Sequence, residues 1–451
     1  MSITSKLARM GLFDAKVPRY TSYPTAPQFS NSVTYKNARE WLAAIPPASH
    51  ISLYVHIPFC RRLCWFCACR TQGTSHNGPV ASYLTTLKEE IKMLRAALPP
   101  GVKLSRMHWG GGTPTLLDPA MIHDLAETLA NFAPFAASAE FSVEIDPGEI
   151  DQARIDALAA AGMTRASVGV QDFDPDIQTV IGRAQSFEIT RAATEMLRAA
   201  GVASLNTDIL FGLPHQTCEK IAASVQKLLT LSPDRVALYG YAHVPWMARR
   251  QALIPSEALP APEARLELFD TARQLFEWDG YRQIGIDHFA SPHDGLAIAA
   301  QAGRLRRNFQ GYTDDRSEVL LGLGASAISR FPQGYTQNHA ATSDYTKSVR
   351  DGCLPTHRGH QFTLDDKLRG RLIESLMCDF RVDAFELCES FPERRAHIAA
   401  LLRRAADYFG DLVIYDDDGL QIRPEAKSLT RIIARHFDAY DMSNAGHASA
   451  I

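Results

Sequence analysis

The chain has 451 residues, 46% of them apolar and 22% charged, with a formal net charge of −3. That length allows one to three domains around a large core, and the composition excludes a wholly disordered chain. Balanced charge offers no global basic field for nucleic acid or an anionic membrane, and no run reaches the roughly 18 apolar residues of a membrane helix.

The N-terminus has no apolar stretch before a small-residue cleavage site, so the expected compartment is the cytoplasm. Residues 1–45 are polar and punctuated by proline, and Arg19-Tyr20-Thr21-Ser22-Tyr23-Pro24-Thr25 reads as an ordered arm. From about 50 to 290, short β-rich runs alternate with helical patterns. The runs are 51–59, 106–111, 140–147, 165–173, 204–214, 235–245 and 282–290, each ending at Pro, Gly or a polar cluster. Helical spacing is clear over 82–98 and 262–276. This alternation predicts βαβ units on a parallel sheet. Six or seven units predict an α/β fold, a full or partial (β/α) barrel over residues 46–355, with chemistry at the C-terminal strand ends.

Polar residues stand at successive strand ends. A cysteine cluster follows the first strand and Gly110-Gly111-Gly112-Thr113-Pro114 the second. Glu144 and Asp146 close the third, Gln171 and Asp172 the fourth; Asp208 lies in the fifth, and Tyr241 and His243 close the sixth. One shared site is expected there. After 356 the pattern becomes mostly helical, with Thr363 as N-cap of a helix over 362–380 and further helices near 395–409 and 426–437. A β-hairpin with an Asp-Gly turn is expected over 412–422. Residues 356–451 thus read as a helical C-terminal domain, and their mixed charge argues against DNA binding.

Four of the eight cysteines, Cys60, Cys64, Cys67 and Cys69, fall within ten residues. In a reducing compartment such a group is a metal or redox site rather than a disulfide framework. Soft thiolates suit zinc, copper(I) or an iron–sulfur cluster. Zinc draws on two separated ligand pairs, and a second pair at suitable spacing is missing from the sequence. A cubane can take several ligands from one short loop, so Cys60, Cys64 and Cys67 predict a grip on three irons. The fourth iron is left for another thiolate or for a substrate. Cys218, Cys353, Cys378 and Cys388 read as structural thiols.

With an apolar strand before it and Phe66 ahead of the third cysteine, Cys60-x3-Cys64-x2-Cys67 resembles the radical S-adenosylmethionine (SAM) superfamily. Trp109-Gly110-Gly111-Gly112-Thr113-Pro114-Thr115 resembles its glycine motif, where missing Cβ atoms let the backbone approach a ligand's amino group. Four further features resemble the oxygen-independent coproporphyrinogen III oxidases over nearly the whole chain. They are Cys69, the arm at 18–25, the stretches at 307–313 and 322–329, and the helical C-terminal domain.

The resemblance implies a [4Fe–4S] cluster on Cys60, Cys64 and Cys67, its fourth iron chelating SAM. It implies two SAM molecules, one held by Tyr54, Gly111, Glu144 and Ile328, the other by Gly112, Thr113, Gln171, Arg183, Asp208 and Ala242. Carboxylates such as Glu144 and Asp208 suit ribose hydroxyls, an ammonium or a sulfonium, and Arg183 suits a methionyl carboxylate. Phe66 is expected on the adenine. The implied reaction uses a 5′-deoxyadenosyl radical to take hydrogen from a propionate β-carbon, with loss of CO2. Two such events convert coproporphyrinogen III to protoporphyrinogen IX.

Cys69 is expected to serve electron or proton transfer rather than the cluster. A substrate with four carboxylates calls for cations, with Arg19 and the group Arg304, Arg306 and Arg307 as candidates. Tyr20 and Tyr23 are expected to pack on the tetrapyrrole face. An electron donor such as a flavodoxin or ferredoxin, a monomeric chain, and no nucleic-acid or membrane partner complete the expectation. The alternative is a haem chaperone or haem-modifying radical SAM protein on the same fold; the chaperone group generally lacks Cys69 and the arm.

Overall fold

A computed structural model describes residues 3–441 and 450. The last residues of the C-terminal domain expected to run to 451, apart from 450, and the first two of the arm lie outside the described residues.

Six parallel strands form the centre of the fold: β1 (His50–Ile57), β2 (Lys103–Gly111), β3 (Phe135–Ile145), β4 (Arg165–Gln171), β5 (Ser204–Phe211) and β6 (Arg235–Gly240). A helix or helix pair crosses over between each and the next, such as Gly78–Ala97 between β1 and β2. The remaining strands of the sheet are β7 (Arg282–Ile284), β8 (His288–Ala290), β9 (Leu320–Leu323), β10 (Ile328–Phe331), β11 (Gly334–Asn338) and β12 (Thr356–Gln361). The sheet order is β12-β11-β10-β9-β1-β2-β3-β4-β5-β6-β8-β7. It is open at both ends, so the barrel is partial.

One strand expectation needs correction. The run 282–290 is not a seventh parallel unit. It folds as the antiparallel pair β7–β8 because Gly285, at φ +54°, reverses the chain beneath the Tyr312 ring. The parallel neighbour on the other side of β1 is β9, a four-residue strand.

The alternating pleat sorts the barrel into two faces. Leu53, Val55 and Ile57 of β1, Met107 and Trp109 of β2, and Phe141, Val143 and Ile145 of β3 are buried against the helices. The intervening positions line a polar interior cavity of about 220 Å3, among them Ser52, His108, Glu144, Ser167 and Asp208. Arg106 lies 2.9 Å from Asp314 and Arg165 3.3 Å from Glu140, forming a charged layer within it.

The last sheet strand ends at Gln361, and the next helix, Leu364–Asp379, opens with a capping box between Thr363 and Asp366. It packs with Arg395–Phe409, Thr430–His436 and a three-stranded sheet made of Arg381–Asp383, Val413–Asp416 and Gly419–Ile422. The expected hairpin is present, but Asp417 and Asp418 make its turn. Gly419 pairs with Asp416, and a Cβ there would stand 2.1 Å from the Val382 carbonyl.

The arm differs from expectation in its task. Tyr20 and Tyr23 are buried in the C-terminal core beside Leu368 and Phe437, not presented as a face for a tetrapyrrole. The Tyr20 hydroxyl donates to Asp438 at 2.9 Å, and the Tyr23 hydroxyl accepts the Ala439 N–H at 3.0 Å. Both rings clamp the arm onto the C-terminal unit.

One buried carboxylate ties the β9–β10 loop to the barrel. Glu90, in the helix after β1, accepts from the Gly324 N–H at 2.8 Å, the Tyr345 hydroxyl at 2.7 Å and the Asn338 amide at 2.8 Å. Burial outweighs these bonds and pushes its pKa from 4.5 up to about 7. A raised carboxyl favours folding below the unfolded value and loses that contribution as pH rises through the folded one. The stability margin of the wild type over Glu90→Gln should therefore shrink by about 2 kcal/mol between pH 5 and pH 8. Urea denaturation of both proteins at the two pH values measures it; a constant margin would contradict the assignment.

Candidate active site

The cysteine loop leaves β1 through Phe59–Cys60, which pairs in parallel with Gln72–Gly73. Its position is set by the end of β2. The Gly112 N–H donates to the Ile57 carbonyl and the Thr113 N–H to the Phe59 carbonyl, both at 2.8 Å. A Cβ on Gly112 would sit 2.5 Å from the Phe59 carbonyl oxygen, and one on Gly111, at φ +109°, 2.3 Å from His56 Nδ1. Only glycine tolerates this approach and the left-handed backbone at 111. The Thr113 side chain hydrogen-bonds Cys60, whose thiol burial pushes up to about 11.

Cys64 is buried, and Arg183 Nη1 donates to its Sγ at 3.4 Å. The same guanidinium lies 3.5 Å from Asp146 and donates to the Gly169 carbonyl at 3.0 Å. Arg183 thus serves the cysteine loop here. The Cys69 thiol and its N–H, the latter at 3.4 Å, both donate to Cys67 Sγ. These bonds, with Arg250 and Arg183 nearby, draw the Cys67 thiol down to about 6. Cys69 is driven the other way, because it is the donor to the thiolate. Among the described residues no three His, Cys, Asp or Glu side chains converge as a single metal ion requires. In a cluster, three cysteines bind three different irons.

Below the loop lies the polar cavity. Glu144, at the end of β3, accepts the Gly111 N–H at 3.0 Å and faces His108 Nε2 at 3.3 Å. Burial pushes its carboxyl up, but His108 and the Gly111 N–H more than reverse that and hold it below the ordinary range. Asp208 accepts from Asn206 at 2.9 Å and Ser167 at 3.4 Å. Burial, reinforced by the Glu144 charge, pushes it up to about 6. Two carboxylates in one cavity therefore differ in protonation near pH 6 and below.

The Tyr54 hydroxyl and His56 Nδ1 are 2.9 Å apart, and His56 Nε2 is 3.2 Å from the Arg70 carbonyl. That carbonyl can only accept, so Nε2 carries the proton and Tyr54 donates to Nδ1. Burial disfavours the imidazolium. Gln171 ends β4 with φ +72°, a strained conformation for a side chain that size. Ala242 and Phe66 are drawn together by Gln251, whose amide donates to both carbonyls, at 3.0 and 2.7 Å. Phe66 packs against the Ile177–Leu213 apolar cluster. Ile328 begins β10, its carbonyl 2.4 Å from where a Cβ of Gly322 would lie.

Some expected residues are elsewhere. Asp172 is buried as a structural acceptor of Ser224 and Gln216, both at 2.7 Å. Arg306 pairs with Glu374 at 3.0 Å and Arg304 is exposed, whereas Arg307 is buried and stacks 4.3 Å over Tyr312. Arg19 projects to the Gly240 carbonyl, 2.6 Å away at the end of β6. Sequence reasoning missed His56, His108 and Gln251. The two histidines were findable, since each stands two residues from an expected site residue on the same strand face. Gln251 lies in an irregular loop with no such signal.

The comparisons agree with this geometry. Residues 54–228 match the radical SAM superfamily. Over its full length the chain is 61% identical to the whole oxygen-independent coproporphyrinogen III oxidase of Paracoccus denitrificans. It is 39% identical to the enzyme so named in Escherichia coli, covering 96% of this chain and 95% of that one. The solved coproporphyrinogen III oxidase of Escherichia coli, described as a radical SAM enzyme, superposes with a TM-score of 0.90 at 37% identity, covering 95% of this chain and 100% of that one. The chain belongs to the oxygen-independent coproporphyrinogen III oxidases, within the radical SAM superfamily.

Proposed function

We propose that this chain carries out the oxidative decarboxylation of two propionates of coproporphyrinogen III, giving protoporphyrinogen IX. The observation that carries the reading is the three-cysteine loop locked onto a glycine-edged, carboxylate-lined cavity in a chain collinear with such oxidases from end to end. The protein uses a [4Fe–4S] cluster and SAM, and its residues fit both. Three thiols leave one short loop, with two guanidiniums to balance thiolate charge. The Gly111–Gly112 edge seats the start of the cysteine loop against His56, Ile57 and Phe59, where any Cβ would intrude. When bound, the cluster and SAM supply one electron and the carbon radical that takes hydrogen from the propionate.

The chain's own groups orient and enclose that chemistry. Cys60, Cys64 and Cys67 hold the cluster. Tyr54, Gly111, Glu144 and Ile328 hold one SAM. Glu144, kept ionised by His108, faces its cationic or hydroxyl groups. Gly112, Thr113, Gln171, Arg183, Asp208 and Ala242 hold a second, and Phe66 flanks the adenine. Cys69 donates its N–H to the sulfur of Cys67, which would hold the cluster, and stands beside the reaction as a proton or electron relay. Arg19 and Arg307 meet substrate carboxylates. An external one-electron donor such as a flavodoxin or ferredoxin serves the chain, which acts as a monomer in the cytoplasm, where thiols stay reduced. No helix among the described residues is long and apolar enough to cross a membrane.

The direct test is anaerobic turnover of the iron- and sulfide-reconstituted protein with SAM, a reductant and coproporphyrinogen III. Mass spectrometry should show loss of two formic-acid equivalents with 5′-deoxyadenosine formed. An unchanged tetrapyrrole from protein with a full cluster would reject the reading. A pH test addresses Asp208, whose pKa lies near 6. It protonates as pH falls, so SAM affinity should drop by up to about fourfold between pH 7.5 and 5.5. Asp208→Asn should bind weakly with no such slope, as measured by equilibrium dialysis of the reconstituted proteins.

A further inference from the structure

The helix Gly78–Ala97 sends two buried side chains to the turn between β9 and β10. One is Glu90, which accepts the Gly324 N–H. The other is Tyr83, which meets three segments at once. Its hydroxyl donates to the His56 carbonyl at 2.8 Å and accepts the Ala325 N–H at 3.0 Å. Its ring stands edge-on to Phe59, at the start of the cysteine loop, with centroids 5.5 Å apart. The turn lies close over the exit of β1. A Cβ on Gly324, at φ +95°, would stand 2.3 Å from the Tyr83 oxygen and 2.8 Å from the His56 carbonyl oxygen. Just before the turn, Gly322 is the register partner of Tyr54.

The turn needs this support because the sheet gives it little. Among the described residues, β9 and β10 pair at Leu320 and Arg330 alone. Buried backbone groups without a ladder must find other partners, and side chains supply them. Asn338 donates from its amide to the Glu90 carboxyl at 2.8 Å and to the Gly324 carbonyl at 2.9 Å. The Tyr345 hydroxyl donates to the other Glu90 oxygen at 2.7 Å. The Ser326 N–H donates to the His339 carbonyl at 2.8 Å, and the Gly322 N–H to the Ser329 hydroxyl at 2.9 Å. Ser326 is held at φ +64°. Such a backbone persists where the surroundings fix it from several sides, and strain of this kind gathers at ligand sites. A buried carboxyl is costly as well. Apolar side chains could fill the same space but could not hold the turn's amides.

We propose that Tyr83 and Glu90 are positioning residues for SAM: they clamp the turn over 324–327, and Ile328 after it, against the exit of β1, and act through that turn rather than on the cofactor. This rests on the functional reading above, in which Tyr54 and Ile328 hold one SAM. His56 has Gly324 against its backbone and Gly111 against its ring. Tyr83 therefore sets the turn relative to both the glycine edge and the cysteine loop. Removing its hydroxyl leaves the Ala325 N–H without that bond, so the turn is free to shift while the ring stays on Phe59.

The test uses Tyr83→Phe and Glu90→Gln in the reconstituted full chain. The readouts are SAM affinity by equilibrium dialysis, iron content, and amide hydrogen exchange over residues 322–330. Tyr83→Phe should bind SAM about five- to tenfold more weakly, the worth of one buried hydrogen bond. Its iron content should match wild type, because the ring still packs on Phe59, and residues 322–330 should exchange faster. Glu90→Gln, which sets an amide donor against Asn338 or against the Gly324 N–H, should weaken SAM in the same direction. Tyr281→Phe is the control: its hydroxyl donates to the Pro233 carbonyl ahead of β6, at the opposite end of the sheet, and SAM affinity should stay at the wild-type level. Wild-type SAM affinity in Tyr83→Phe or Glu90→Gln would overturn that residue's role. An equal loss in Tyr281→Phe, or a parallel loss of iron in Tyr83→Phe, would overturn the clamp. Ile328→Ala separates the clamp from the reading it rests on. Weak SAM binding there with wild-type binding in Tyr83→Phe would overturn the clamp alone. Wild-type binding there with the expected loss in Tyr83→Phe would instead reject Ile328 as a SAM contact and keep the clamp.

Discussion

Everything in the site depends on a backbone-to-backbone contact. The exit of β2 must lie against the exit of β1 so closely that a methyl group cannot fit between them. The Gly112 and Thr113 amides then satisfy two carbonyls on either side of Pro58, and the cysteine loop starts from a fixed point. The cost is a left-handed residue at 111 and the loss of side-chain packing over three positions, both borne by glycine. In return, the Gly111 N–H is aimed at Glu144, which joins the third strand to the same corner. Cluster loop, glycine edge and carboxylate are thus one mechanical unit.

The polar interior follows from the pleat. Apolar residues on the outer face drive the sheet against its helices, leaving the inner positions free to be charged. The interior does not need one uniform protonation state. His108 and a backbone amide keep Glu144 ionised, while Asp208, buried and under the Glu144 charge, holds its proton more tightly. One cavity therefore offers a fixed negative charge and a second group that can change state near pH 6. Beside the cysteines the charge reverses, with Arg183 and Arg250 close to Cys67.

Much of this was legible in the sequence. The cysteine spacing, the glycine run and the acidic residues closing successive strands could be placed because a parallel sheet puts all strand ends on one side. Thr363 was readable as a cap because a capping box is local chemistry. Features set by tertiary approach were hidden. The strand β9 has only four residues, Leu320–Leu323, too few for an alternating signal. The tyrosines of the arm look like ligand-stacking rings until Asp438 and Ala439, more than 400 residues away, are seen to take their hydroxyls. Arg265 lies on the helix over 262–276 with no local signal to mark it; only the meeting of arm, barrel mouth and C-terminal helix makes it part of a pocket.

The most direct test of the central contact is Gly112→Ala, reconstituted anaerobically and examined for iron, the cluster's visible absorbance and SAM binding alongside far-ultraviolet circular dichroism. The added methyl meets backbone atoms of Ile57 and Phe59 at 2.8 and 2.5 Å, so the β1 exit must move. The account predicts a folded barrel with native secondary structure that has lost most of its cluster or most of its SAM affinity. A folded variant with full iron and wild-type SAM affinity would contradict it, because the cysteine loop would then be placed by something other than the glycine edge.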